Sequence, residues 1–142
     1  MSKKYLRLYE SEIPEPDIRP SFRTGLWTLR NDYLYVDDFT CITIPAGFTC
    51  DGASIPKAVH SLIGSFDLSI TAPLIHDFLY RYQGLLPVDY VTPYRIYDRV
   101  DADNLFSVVM EEEGVPVWRR KIAYGAVRTL GRWAWNKHKE AR

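Results

Sequence analysis

Cysteine is scarce in this chain of 142 residues, where Cys41 and Cys50 are the only thiols. They lie nine positions apart with no Cys-x-x-Cys pair, so a zinc site is not expected. Two buried thiols of a cytosolic product, or a single disulfide, are the readings left. Apolar runs are short as well. None is long enough to span a bilayer, and Met1-Ser2-Lys3-Lys4 is not followed by an apolar stretch of signal-peptide length, so secretory export is not expected. Net charge is zero, nothing repeats internally, and no segment is low in complexity. Ser54 and Ser61 lack a surrounding Gly-x-Ser-x-Gly, which removes an α/β-hydrolase elbow. Gly125 and Gly131 fall inside a helical pattern, not in a phosphate-cradling loop, and no EF-hand spacing is present.

What the chain does have is aromatic surface and an uneven charge. Ten Tyr and four Trp are many for this length, and such side chains suit cores, interfaces and membrane surfaces alike. Residues 115–142 hold eight basic side chains against Glu140 alone, a local excess of +7, so residues 1–114 carry −7. The basic stretch interleaves Arg128, Arg132, Lys137 and Lys139 with Trp133 and Trp135. That pattern fits an anionic lipid interface, or a solvated helix end whose tryptophans turn to the core. No RNA or DNA motif accompanies it, so nucleic acid is not an expected partner.

The length predicts one domain over residues 1–142, with a β-rich part to residue 50 and a helical part from residue 51. Residues 1–20 read as an irregular lead-in with a short strand at Tyr5–Tyr9. Leu26–Leu29, Tyr33–Val36 and Cys41–Ile44 are aromatic and β-branched, and are separated by Asn31-Asp32 and Asp37-Asp38, which suit hairpin turns. An antiparallel meander of three or four strands is the expectation, hence an α+β fold. A short helix follows Ser54-Ile55-Pro56. The next begins near Ser69 or Thr71, with Pro73 in its first turn, and stops at Gly84. Residues 85–97 read as a long loop. A helix from Arg99 to Glu113 carries Val100, Asp103, Phe106 and Met110 near one face, and Gly114 closes it. Pro116 opens a last helix, with Trp118, Ile122, Ala126, Leu130 and Trp133 or Ala134 along a stripe.

The residues with chemistry to offer are His76, Asp77 and Tyr80, Asp51-Gly52, and the acids of the 99–113 helix. His76 and Tyr80 are one turn apart on a single face, and Asp77 lies about 100° round. An imidazole takes a proton from water near pH 7 if its other nitrogen is held by an acceptor. Asp103 and Asp101 are the available acceptors. The structural alternative makes His76 part of a core hydrogen-bond network and pairs Asp77 with Arg81. Asp51 and backbone carbonyls near Gly52 form either a turn that caps the next helix or, with Asp77, oxygen ligands for calcium.

Two resemblances are carried by these motifs. Ile44-Pro45-Ala46-Gly47-Phe48, Asp51-Gly52-Ala53-Ser54-Ile55-Pro56, His76-Asp77-Phe78-Leu79-Tyr80, Arg99 with Ala102-Asp103, Phe106 and Met110, and Tyr124 through Arg128 with Gly131 together resemble an uncharacterised domain family frequent in tailed phages and prophages. This implies a phage-encoded protein in host cytoplasm or virion, with virion proteins as partners. Residues 51–131 also resemble the helix pair of the prokaryotic phospholipases A₂. That resemblance implies His76 as the general base, Asp77 as a calcium ligand, Asp103 orienting His76, and Tyr80 supporting Asp103. Asp51 and Gly52 would take the place of the calcium loop, and calcium would polarise a lipid ester. The chain departs from that enzyme family in three ways: no Cys lies beyond residue 50, the glycine-rich loop is reduced to Asp51-Gly52, and the β region is extra. The alternative implied is a non-catalytic virion protein of tail or connector.

Overall fold

A computed structural model describes residues 16–20, 27–36, 40–50 and 71–140. Antiparallel strands come first and three helices follow, the α+β arrangement expected from the sequence. The chain divides into two compact units. One comprises Met1–Asp51 with Leu86–Ile96, the other Gly52–Leu85 with Tyr97–Arg142.

The first unit holds two three-stranded antiparallel sheets among its described residues. Strands β1 (Ile18–Pro20), β2 (Trp27–Leu29) and β5 (Thr49–Cys50) form one, with β2 central; β3 (Tyr33–Val36), β4 (Cys41–Ile44) and β6 (Val91–Thr92) form the other, with β4 central. In β4 the residues alternate, Ile42 and Ile44 fully buried and Cys41 and Thr43 half-buried, as a pleat with one core face requires. Tyr33 and Tyr35 of β3 are buried while Leu34 between them is exposed. Pairing runs Tyr33 to Ile44 and Val36 to Cys41, so β3 and β4 are antiparallel neighbours, while the turn expected at Asp37-Asp38 lies outside the described residues.

The single meander is not what forms. β2 pairs with β1 and β5 and not with β3, and the Asn31 and Asp32 side chains between β2 and β3 bond elsewhere. Asn31 donates to Asp17 (2.6 Å), and Asp32 accepts from the Ala46 amide (2.7 Å). The lead-in also ends in a strand, β1, at a sheet edge where Pro20 costs no ladder bond. Residues 85–97 are not wholly loop. Val88–Tyr90 make a 3₁₀ turn, and Val91–Thr92 then pair with Cys41 and Ile42. The thiols of Cys41 and Cys50 are not joined by a disulfide, and burial pushes the Cys41 thiol up. Tyr5–Tyr9 and the helix after Ser54-Ile55-Pro56 lie outside the described residues.

The second unit is built on helices α1 (Thr71–Arg81), α2 (Arg99–Glu112) and α3 (Val117–Glu140), with α1 packed against both others. Helix α1 is buried nearly all round, from Thr71 to Tyr80 except at Pro73, so it is the core of its unit. It stops where Gly84, at φ +73°, returns its amide to the Leu79 carbonyl (2.8 Å). A side chain there would collide with the Tyr97 carbonyl. Helix α2 starts with a capping box in which Asp98 accepts from the Asp101 amide and Asp101 from the Asp98 amide. On α3 the inward face is Ala123, Val127, Gly131 and Ala134, not the large residues of the expected stripe. Small residues allow close approach of the helices, and they leave Trp118, Ile122, Leu130 and Trp133 exposed. Val100 of α2, expected on the core face, is also exposed.

Candidate active site

Helical spacing brings His76 and Tyr80 together on the face of α1 toward α2, with ring centroids 4.2 Å apart. From the second turn of α2, Asp103 meets both. His76 Nε2 lies 2.7 Å from Asp103 Oδ1, and the Tyr80 hydroxyl donates to the same oxygen at 2.7 Å. Phe106, three residues on from Asp103, closes over the imidazole at 4.7 Å between centroids. His76, Tyr80 and Asp103 all have zero exposure.

Helix α3 supplies the other half. Arg128 Nη1 donates to Asp103 Oδ2 at 2.7 Å, and Arg99 Nη1, one turn before Asp103 on α2, stands 3.5 Å from that oxygen. Arg99 also donates to the carbonyls of Val127 and Arg128, each at 3.1 Å, so its guanidinium ties α2 to α3. Gly131 is where α3 passes Tyr80. A β-carbon there would lie 2.7 Å from the Tyr80 hydroxyl and 3.4 Å from Arg99 Nη1. Trp135 sets its ring edge-to-face on Tyr80 at 5.0 Å, and its carbonyl accepts from Gln83 at 2.7 Å.

These contacts settle the charges. Burial alone would push the Asp103 carboxyl up, but the bonds from His76, Tyr80 and Arg128 outweigh it and hold it below the ordinary carboxylate range. Burial and the bond to Asp103 push the Tyr80 phenol well up, so it stays a donor. Its bond to Asp103 raises Arg128 further, so the guanidinium stays charged. An ionised carboxylate only accepts, so the nitrogen facing it, His76 Nε2, is assigned the proton. In the neutral ring the basic lone pair then belongs to Nδ1.

Of the residues singled out from sequence, His76, Tyr80 and Asp103 are brought together. Asp101, the other acid weighed as partner of His76, serves the cap of α2. Asp77 is buried on α1. Asp51 and Gly52 lie outside the described residues, as do Ser54 and Ser61. Among the described residues no group of three or more His, Cys, Asp or Glu side chains is placed to hold a metal ion. The two arginines were missed. Arg99 had a signal, its i, i+4 spacing to Asp103; Arg128 had none, since it arrives from another helix.

The family described as "Protein of unknown function (DUF1353)" matches residues 27–127, more than half of the chain. The chain belongs to the DUF1353 family. Within that match lie β2 to β6, α1, α2 and the first part of α3, and with them Arg99 and all three members of the His76–Tyr80–Asp103 cluster; it ends one residue before Arg128. No curated protein and no solved structure matches this DUF1353 chain. Among its described residues, no helix is long and apolar enough to cross a membrane.

Proposed function

We propose that this DUF1353 protein is a phage-encoded hydrolase of lipid esters, of the phospholipase A₂ kind, with His76 as general base. The observation that carries this reading is the 2.7 Å approach of His76 Nε2 to a carboxylate that Tyr80 and Arg128 also hold. In this reading His76 would act through the ring nitrogen that does not face Asp103. His76 then takes a proton from water as the water oxygen bonds to the ester carbonyl carbon. The proton passes to the leaving alkoxide when the ester C–O bond breaks. Asp103 stabilises the transient imidazolium, and Tyr80 keeps Asp103 in place. Asp77 would be a ligand of calcium, a cation that takes oxygen ligands and polarises an ester carbonyl when bound, while Asp51 and Gly52, the other ligands expected, lie outside the described residues.

The test is release of fatty acid from anionic phospholipid vesicles with and without calcium. The expected result is calcium-dependent release, abolished by His76→Gln and by Asp77→Asn. Release that survives both substitutions sinks the assigned roles.

A second reading rests on the zero exposure of His76, Tyr80 and Asp103 beneath Phe106 and Trp135. A sealed, fully donated carboxylate is also what a non-catalytic virion protein of tail or connector would use to lock three helices. That reading expects fixed copy numbers in purified particles and no hydrolysis by the wild type. Absence from particles counts against it.

A further inference from the structure

The outer face of α3 takes no part in the site. Trp118, Ile122, Leu130 and Trp133 are 55, 49, 62 and 71% exposed. At helical spacing they fall within an arc of about 120°, beside and not overlapping the arc of the buried Ala123, Val127, Gly131 and Ala134. The stripe runs from Trp118 to Trp133, about 22 Å along the helix axis. Lys121 and Arg132 border one edge of it, and Arg119 and Lys137 lie toward the other. The Arg119 guanidinium sits 5.1 Å from the Trp118 ring centroid, and Lys137 Nζ 5.5 Å from that of Trp133. From Val117 to Glu140 the only acid is Glu140 itself.

We propose that this face docks on an anionic lipid surface, with α3 lying in the plane of the interface. The chemistry of the stripe selects that occupant. Ile122 and Leu130 would enter the acyl boundary, and the two tryptophans would sit at headgroup level. The flanking lysines and arginines reach anionic headgroups while their stems lie along the apolar strip. A second copy of the chain would bring the same cations face to face, and like charge opposes it. Nucleic acid would use the cations but gives Ile122 and Leu130 nothing to bury against. The proposal goes beyond the hydrolytic reading and does not depend on it.

Sedimentation of the full chain with vesicles tests it. Binding is expected to vesicles of mixed phosphatidylcholine and phosphatidylglycerol, and not to phosphatidylcholine alone. It should weaken as salt rises and shift tryptophan emission to the blue. The double variant W118S/W133S changes only exposed side chains, and should lose at least about tenfold in vesicle affinity with its helical circular dichroism unchanged. K121E/R132E, a second variant, should lose the preference for phosphatidylglycerol. His76→Gln should bind vesicles as the wild type does, so lost docking and lost hydrolysis are read separately. The proposal is overturned by no binding to the anionic vesicles, by equal binding to both vesicle types, or by undiminished binding of W118S/W133S. A dimer that W118S/W133S dissolves, or binding of duplex DNA, in the absence of vesicle binding assigns the face to those partners and also overturns it.

Discussion

Asp103 is an anion with no exposed surface, and its donors determine what it can do. Burying a carboxylate costs several kcal/mol unless its lone pairs are matched. Here Oδ1 takes His76 and Tyr80, while Oδ2 takes Arg128 with Arg99 nearby. Asp103→Asn leaves two guanidinium groups facing a neutral amide, so it should destabilise the fold by about 3–5 kcal/mol, read by urea denaturation. The pH dependence has a definite sign. Because the folded carboxyl is held below its ordinary value, its contribution is complete above that value. It falls as pH drops below about 4 and vanishes below the lowered folded value. The stability gap between wild type and Asp103→Asn should therefore close in acid; a gap constant from pH 7 to pH 2 contradicts the assignment. Gly131→Ala tests the same cluster from α3. Its methyl group must displace the Tyr80 hydroxyl, at a cost of about 1–3 kcal/mol. At this scale half of the cluster was legible. The i, i+4 spacing puts His76 and Tyr80 on one face; on residue types alone Asp101 and Asp103 are equivalent partners, the phospholipase resemblance singles out Asp103, and the cap of α2 takes Asp101. Arg128 was visible as one charge of a basic tail and as the end of the Tyr124–Arg128 motif, and neither placed it at Asp103.

Among the elements, those with punctuation were the readable ones. Pro73, Gly84, Gly114 and Pro116 mark where the chain can enter or must leave a helix, and α1, α2 and α3 begin or end within a few residues of them. Three features had no such mark. The pairing of β2 with β5 is non-local, and order along the chain favours neighbours. β6 is two residues long and adjoins Pro93, so neither length nor alternation could show it. The expected stripe of α3 shares only Ala134 with the inward face, because periodicity ranks large apolar residues first, whereas close helix packing selected Ala, Gly and Val. The cap of α2 lies in the same class, since Asp98 reads as one more charge before a helix full of acids. Asp98→Ala should cost about 1 kcal/mol, seen as a lowered denaturation midpoint with unchanged slope. An unchanged midpoint means that the box adds nothing beyond solvent.

For the molecule as a whole, the informative feature is that the chain leaves the helical unit and comes back. Leu86–Ile96 belongs to the unit of strands, although α1 precedes it and α2 follows it. The excursion is pinned shut at its base, where the Tyr97 amide donates to the Gly84 carbonyl at 3.0 Å. Its ends are therefore as close as those of a short turn, and few residues are needed to join them. Replacing residues 86–95 by two glycines joins Leu85 to Ile96 through a four-residue turn and removes β6. In the unit of strands, β4 then becomes an edge, since Cys41 and Ile42 lose Thr92 and Val91. Amide exchange along Cys41–Ile44 should speed up at least about tenfold, while helical circular dichroism and protection in α1 persist. The outcome that rejects this is simultaneous loss of both signals, because α1 would then depend on the excursion for its own stability. Retention of β4 protection would equally reject the role given to β6.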